Sequence, residues 1–128
     1  MERRLLPAAA LMAAALLSAL SLSGYAWVLI EDEDTQSGIY SRAYAYVRGF
    51  VVEESPFNCK LTNVYHDWEP KDVNEIGVNA VIIVSKGTSN DSTDAWTIIY
   101  VFVDPDGDGV YHLDAKATAY ISVDNCMV

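Results

Sequence analysis

Residues 111–123 alternate between two classes of side chain over their whole length. Every second residue is apolar, whereas most of the residues between them are polar or charged. The apolar members are Tyr111, Leu113, Ala115, Ala117, Ala119, Ile121 and Val123. Successive side chains of a β-strand point to opposite faces of a sheet, whereas a helix would scatter these charges around its circumference. The pattern predicts a strand with one face in a core and the other in water.

Other stretches rich in β-branched and aromatic residues also predict strands. They are residues 39–52, 59–65, 78–85 and 96–103. The almost continuously apolar residues 78–85 indicate a central strand covered on both faces, and residues 67–77 indicate a loop with one helical turn. Turns rich in Gly, Pro and Asp separate the strands. The sequence therefore predicts an all-β fold, a single antiparallel β-sandwich of five to seven strands, in residues 27–128.

Two of these strands carry more detailed expectations. In residues 39–52, one face is small and the other is aromatic, and the aromatic face also holds Arg42 and Arg48. Two guanidinium groups need water or partners, so this face should not be wholly buried. Gly49 is a candidate site for a bulge that exchanges the two faces. In residues 59–65, alternation places Cys59, Leu61 and Tyr65 on one side.

Residues 1–26 have the order of a secretory signal peptide. Arg3 and Arg4 are followed by the uncharged, Ala- and Leu-rich residues 5–22, and then by the small residues Gly24 and Ala26 at positions suited to cleavage. The alternative is an uncleaved membrane anchor, because this apolar stretch is just long enough to span a bilayer. Both interpretations place the folded part in a secreted or cell-surface location, with membrane contact only through an uncleaved leader.

The formal charge of −10 argues against nucleic acid and anionic membrane surfaces as partners. It favours a cation or a cationic partner. Four consecutive acidic residues, 31–34, predict a solvated loop or leading arm. The alternative for this segment is a second cation site, or an arm that docks on a neighbouring subunit.

The two cysteines, Cys59 and Cys126, both follow the predicted leader. An even pair in an exported chain predicts a disulfide, which would fasten the C-terminal end to a strand in the middle of the chain. Buried free thiols and metal ligation are the alternatives. Zinc is disfavoured because the pair is widely separated and no CxxC motif is present.

Residues 104–109 place carboxylates at Asp104, Asp106 and Asp108, with Gly109 directly after them. This resembles the opening half of the DxDxDG calcium loop of EF-hands and other extracellular calcium modules. Calcium prefers oxygen ligands and relieves the repulsion between crowded carboxylates, and Val110 could add its carbonyl oxygen. The prediction is a structural calcium site completed by water or by another segment or chain, since Asp114 is carried away along the strand. The alternative is a metal-free acidic turn.

Tyr40, Tyr44 and Tyr46 form a candidate binding face for a carbohydrate or a protein, although such residues are also common as cross-strand pairs. Asn90, followed by Asp91 and Ser92, fits the N-glycosylation sequon. The two histidines, His66 and His112, have no accompanying catalytic motif.

The architecture, the loop at residues 104–109 and the segment after the leader, residues 27–34, resemble small archaeal and bacterial extracellular fibre subunits of the cannula or TasA/camelysin kind. The resemblance implies that an N-terminal segment can complete the sheet of the next subunit, and that a neighbour could supply the remaining calcium ligands.

The expected function is that of a non-catalytic secreted or surface structural protein, a calcium-dependent filament or surface-assembly subunit. Its partners would be further copies of the chain or another extracellular protein. The alternative is an extracellular carbohydrate- or protein-binding module with a structural calcium.

Overall fold

The computed structural model describes residues 2–4, 28–71, 79–123 and 126. This part of the chain forms seven strands. They are β1 (Glu2–Arg4), β2 (Val28–Ser37), β3 (Arg42–Ser55), β4 (Asn58–Lys71), β5 (Asn79–Thr88), β6 (Asp94–Asp104) and β7 (His112–Ser122). Sheet A has the order β1-β2-β3-β4 and sheet B the order β5-β6-β7, and all neighbours are antiparallel. The predicted all-β, antiparallel, sandwich-like fold is confirmed.

The core lies between the two sheets and consists mainly of small and β-branched side chains. Its fully buried members include Ala43, Ala45, Val47, Ala95, Ile99, Val101, Ala117, Ala119 and Ile121. Alanine on the facing strands β3 and β7 allows the sheets to approach closely, and larger Ile and Val side chains fill the space between them. The inward positions of β3, β6 and β7 follow the period of two that the sequence predicts.

β3 begins at Arg42, three residues later than predicted, because residues 38–41 form the turn from β2. From Ala43 to Val51 its small residues are buried, and the aromatic residues on the opposite face are partly exposed. The expectation that the aromatic face is not wholly buried is confirmed. β3 keeps the same faces on both sides of Gly49, so the predicted exchange of faces in this strand is wrong.

The irregularity opposite Gly49 lies in β4. Arg48 pairs with Tyr65 and Phe50 with Thr62, so β4 contains an extra residue, and Asn63 has a φ of 53°. This bulge changes which side chains face the core: Cys59 and Leu61 are buried before it, whereas Tyr65 is exposed after it. The prediction that Tyr65 shares a side with Cys59 and Leu61 is therefore wrong.

β5 is an edge strand, not the predicted central one. It pairs only with β6 within the described residues, and its side chains alternate between exposed and half-buried. Ala80, Ile82 and Val84 pack against the core, while Val81 and Ile83 are exposed on the outer face of sheet B. An apolar run favours a strand that is buried on both faces, but in this protein the described residues cover only the inner face of β5.

A second bulge interrupts the alternation of β7. Val101 pairs with Ala115 and Phe102 with Leu113, so Asp114 is the extra residue. Ala115 to Val123 keep the predicted inward face, but Tyr111 and Leu113 are exposed. The prediction that these two residues lie on the core face is wrong, because the bulge turns the beginning of β7 outward.

β4 continues to Lys71, so the predicted loop at residues 67–71 is wrong. The rest of that loop lies outside the described residues. So do residues 1 and 5–26 of the predicted leader, whose identity as a signal peptide stays a prediction. Glu2–Arg4 form β1, paired with Glu31–Glu33 of β2. The part of the chain that the structure describes contains no helix long and apolar enough to cross a bilayer.

The predicted disulfide is present between Cys59 and Cys126, with a Cα–Cα distance of 4.9 Å. It joins the beginning of β4 to the C-terminal end of the chain, across a sequence separation of 67 residues. A crosslink of this span reduces the conformational entropy of the unfolded chain, which corresponds to a stabilisation of about 4 kcal/mol.

Replacement of both cysteines, Cys59→Ala with Cys126→Ala, should lower the free energy of unfolding by about 4 kcal/mol, because the unfolded chain regains that entropy. Urea unfolding measures the change. A thiol reductant should destabilise the native protein and leave the double variant unaffected. Equal stability of the two proteins without reductant would contradict a stabilising role for the disulfide.

Candidate functional site

The acidic run at residues 31–34 lies inside β2, paired with β3 along its whole length. Only 5% of the surface of Glu31 and 1% of that of Asp32 is exposed. The predicted solvated loop is therefore wrong. The sequence did contain a signal, since Asp32 and Asp34 follow the buried Ile30 by two and four residues and so share its inward face.

Asp32 and Asp34 face β7, the neighbouring edge strand of sheet B. The Tyr120 N–H donates to Asp32 Oδ2 at 2.8 Å, and the Thr118 N–H donates to Asp34 Oδ2 at 2.9 Å. Among the described residues the strand paired with β7 is β6, on its other side, and these two N–H groups point to where a further strand would lie. The two carboxylates take the place of that strand, and we call this contact between the sheets the β2–β7 seam.

Asp114 completes the seam in the opposite direction, from β7 to the turn between β2 and β3. Its carboxylate accepts the N–H of Ile39 at 2.9 Å, the N–H of Tyr40 at 3.1 Å and the hydroxyl of Ser41 at 2.6 Å. A Cβ on Gly38 would overlap the Asp114 carboxylate and carbonyl. The turn therefore requires glycine at this position, and the bulge in β7 brings Asp114 to it.

One oxygen of the seam has no hydrogen bond. Asp32 Oδ1 is buried and lacks a partner among the described residues. Burial raises the pKa of Asp32, because the ionised carboxylate loses its hydration, and the hydrogen bond from the Tyr120 N–H only partly offsets this effect. Asp32 therefore holds its proton more tightly than an ordinary aspartate.

The three tyrosines predicted as one binding face are divided by the structure. Tyr44 and Tyr46 lie on the outer face of sheet A, whereas Tyr40 lies in the turn before β3 and packs against the core. The difference arises because the regular alternation starts at Arg42 and does not include Tyr40.

The side chains of Tyr44 and Tyr46 already contact neighbouring residues of the protein. Tyr46 donates its hydroxyl to Glu31 Oε2 at 2.6 Å, and burial together with this bond raises the pKa of Tyr46 well above its ordinary value. Its ring also meets Tyr65 edge to face. The Lys71 ammonium lies 5.6 Å from the centre of the Tyr44 ring. The outer face of sheet A is thus a tyrosine-rich surface with cations over its rings.

The predicted calcium loop is held by its own backbone. Asp104 is buried, and its two carboxylate oxygens accept the N–H of Asp108 at 3.1 Å and the N–H of Gly109 at 2.8 Å. Asp108 Oδ1 accepts the N–H of Val110 at 2.9 Å. Gly107 and Gly109 have φ values of 70° and 84°, a conformation that favours glycine. Burial acts to raise the pKa of Asp104, but the hydrogen bonds from the loop, led by Gly109, outweigh it and hold that pKa below the ordinary value.

The donor chemistry of this loop suits calcium, since Asp104, Asp106 and Asp108 offer carboxylates and Val110 offers a carbonyl oxygen. The three carboxylates do not converge to within 4.8 Å of one another. The cluster that does so among the described residues is Glu53, Cys59 and Cys126, and its sulfurs are joined in the disulfide. Asp106 and Asp108 are exposed, but Asp108 accepts the N–H of Val110 and Asp104 accepts two N–H groups of the turn, so both carboxylates already have partners within the loop.

His66 is part of the packing between the sheets. Its Nδ1 lies 2.8 Å from the hydroxyl of Thr97, a fully buried residue of β6. Burial and the positive charge of Lys86 lower the pKa of His66. The ring therefore satisfies a buried hydroxyl and is held neutral. His112 is exposed at the beginning of β7.

Asn90 is exposed at the turn between β5 and β6. Asp91 orders this turn, because its Oδ1 accepts the hydroxyls of Ser89 and Thr93 at 2.7 Å each. The turn is also attached to β4, since the Leu61 N–H donates to the Ser92 carbonyl at 2.7 Å. The sequon is thus sterically accessible, and its glycosylation stays a prediction.

Comparisons of the chain with family models, with curated proteins and with solved structures find no match.

Asp114→Ala should lower the free energy of unfolding by about 2 kcal/mol, because two backbone N–H groups and a hydroxyl lose their shared acceptor. Chemical unfolding measures this loss. Asp67→Ala is the matched control, since the exposed Asp67 carboxylate accepts the N–H of the adjacent Trp68. It should change stability by less than about 0.5 kcal/mol. Equal effects of the two substitutions would contradict the role assigned to Asp114.

Acidification should destabilise the protein through His66. The unfolded chain protonates this ring below its ordinary pKa of about 6.5, whereas the folded protein resists protonation. Its contribution to stability is therefore complete above that pH and is lost as pH falls toward the lowered pKa. Unfolding at roughly pH 7.5 and pH 5.5 should show a smaller decrease for His66→Gln than for the native protein. The exposed control His112→Gln should decrease as the native protein does, and identical decreases in all three proteins would refute the assignment.

Proposed function

We propose that this chain is a non-catalytic, secreted or cell-surface structural protein that self-associates, and that calcium at residues 104–109 promotes the association. The observation that carries this proposal is the outer face of sheet B, which a protein that remains alone in water would not be expected to leave apolar.

That outer face, called here the apolar face, extends across all three strands of the sheet. Its members are Val81, Ile83, Trp96, Ile98, Tyr100, Phe102, Leu113 and Tyr120. The exposed fractions of Val81, Ile83 and Leu113 are 42%, 50% and 52%. Tyr100 and Phe102 stack with ring centres 6.4 Å apart. A surface of adjacent aliphatic and aromatic groups is typical of a site of protein contact.

The distribution of charge on the apolar face is compatible with a second copy of this acidic chain as the partner. Its central part contains no carboxylate, although the protein has a formal charge of −10. The cation beside it, Lys116, lies 5.2 Å from the centre of the Tyr100 ring. Two copies could therefore meet at the centre of this face without opposing acidic residues there, since Asp94 lies at one end, where it accepts the hydroxyl of Tyr120.

The contacts made by the buried and half-buried polar side chains support a structural role. Asp32, Asp34 and Asp114 join the two sheets, Asp104 holds its own turn, and His66 satisfies Thr97. Each has a backbone or core partner that accounts for its position. The disulfide supports an oxidising extracellular compartment, in agreement with the predicted leader.

Calcium fits this proposal through the position of its loop. Residues 104–109 extend from the last residue of β6 into the connection to β7, and Leu113 of the apolar face is the second residue of β7. The exposed carboxylates of Asp106 and Asp108 would repel the same residues of a second copy. A bound calcium ion would neutralise that charge, and a neighbouring molecule or water would supply the ligands that this loop lacks.

A binding module for a carbohydrate or another extracellular protein is the second candidate. Tyr44 and Tyr46 favour it, because they lie two residues apart on the outer face of sheet A with part of each ring exposed. Their existing contacts with Lys71, Glu31 and Tyr65 leave less of the rings for a ligand. The apolar face of sheet B has more apolar members and extends across all three of its strands, so self-association is the better supported function.

Millimolar calcium should raise both the melting temperature and the particle mass of the purified protein, relative to the protein in a chelator. Light scattering and calorimetry measure the two effects. Asp106→Asn should weaken both responses without loss of the turn, since Asp106 lies outside the hydrogen bonds that close it. The control Asp67→Asn should respond as the native protein does. If calcium changes neither quantity, the calcium proposal is wrong, and a monomer under all conditions would exclude self-association.

A further inference from the structure

The two sheets have four edges in the described part of the chain, and three of them are obstructed. β1, at one edge of sheet A, is only three residues long. β4, at the other, contains the bulge at Asn63, a proline at Pro70 and several charges. β7 contains the bulge at Asp114 and donates its N–H groups to the seam. Bulges, prolines, charges and short strands are the features by which proteins prevent edge-to-edge pairing.

β5, the fourth edge, has none of these obstructions along most of its length. Its ten residues pair with β6 without a register shift, from Asn79 opposite Asp104 to Thr88 opposite Ala95. It contains no proline and no acidic residue. Its one charged side chain, Lys86, has its ammonium 4.6 Å from the centre of the Trp68 ring on β4, which places the charge against sheet A.

The backbone of this edge has the groups that a further strand would need. Within the described residues no other strand pairs with β5 on the side away from β6. A regular strand of this length has alternating N–H and C=O groups along its free side. Val81 and Ile83 stand at the margin of the apolar face, each about half exposed, where side chains of an added strand would cover them.

We infer that the occupant of this edge is a second copy of the chain, joined through antiparallel pairing of β5 with β5. Two identical edges related by a two-fold axis offer each other equal numbers of donors and acceptors. The lack of acidic residues in β5 makes it the strand at which two copies of a strongly acidic protein meet with least direct repulsion. The pairing would join sheet B and its apolar face into one surface across both copies. This inference rests on the proposed self-association and names the contact that produces it.

The test compares Ile83→Lys with Leu113→Lys. The two side chains are almost equally exposed, at 50% and 52%, and both belong to the apolar face, but Leu113 is on β7 at the opposite side of sheet B. Particle mass of the purified full chain is measured by light scattering over a range of protein concentrations, with and without calcium. Thermal unfolding of each variant shows that it is folded. Ser85→Lys, at an exposed polar position on the same face of β5, is the second variant if Ile83→Lys does not fold.

Ile83→Lys should weaken association at least about tenfold, because Ile83 lies near the middle of β5 and pairing about a two-fold axis there brings the two ammonium groups of the variant together. Leu113→Lys, on the far side of the apolar face from β5, should weaken association by a clearly smaller factor. If both variants associate as strongly as the native protein, the pairing of β5 is wrong, although self-association remains. If both variants lose association equally, the pairing of β5 is likewise wrong and self-association remains. A native protein that is monomeric at every concentration would overturn self-association itself. Slow exchange of the β5 amides that face away from β6, measured while the native protein is monomeric, would show that the chain's own residues cover this edge, which also overturns the pairing.

Discussion

The structure depends on carboxylates that accept backbone N–H groups across the β2–β7 seam. Asp32 and Asp34 reach from β2 to β7, and Asp114 reaches back from β7 to the turn that leads into β3. A buried N–H group without a partner costs about 1–3 kcal/mol, so an open edge of β7 would be expensive. Asp32 and Asp34 avoid that cost at β7 without a strand between the sheets, and Asp114 avoids it at the turn before β3. The burial of Asp32, which raises its pKa and leaves Oδ1 without a hydrogen bond, is the energetic disadvantage of this solution.

Different contacts hold the opposite side of the sandwich. His66 of β4 meets Thr97 of β6, Lys86 of β5 covers Trp68 of β4, and the disulfide fastens the C-terminal end beside β4. Hydrogen bonds from backbone N–H groups to carboxylates hold the seam, whereas a neutral histidine, an aromatic ring with a cation over it and a disulfide hold this side. The two sides should therefore respond differently to acid and to reductant. The small residues of β3 and β7 bring the layers close enough for both sets of contacts.

The alternation of apolar and polar residues predicts the strands and most of their inward faces, and an even pair of cysteines in an exported chain predicts the disulfide between Cys59 and Cys126. This alternation does not predict the order of the strands in the sheets or the positions of the bulges. Residues 78–85 have the composition of a central strand, yet β5 is an edge, because strand order depends on which distant segments pair. Asn63 and Asp114 give no strong local sign of the extra residue that reverses the faces around Tyr65 and Leu113.

The burial of Asp32 and Asp34 is a separate case. Four consecutive acidic residues are typical of a solvated loop, although the spacing of these two residues from Ile30 places them on the inward face.

The seam has a direct consequence for backbone amide exchange, which NMR can measure residue by residue. The amides of Thr118 and Tyr120 lie on the side of β7 away from β6, where solvent would normally exchange them quickly. If Asp32 and Asp34 close the sandwich, these two amides exchange as slowly as those of the buried strand β6, and Asp34→Ala accelerates exchange at Thr118 far more than in β6. Rapid exchange at Thr118 and Tyr120 in the native protein, at rates like those of exposed loops, would contradict the account.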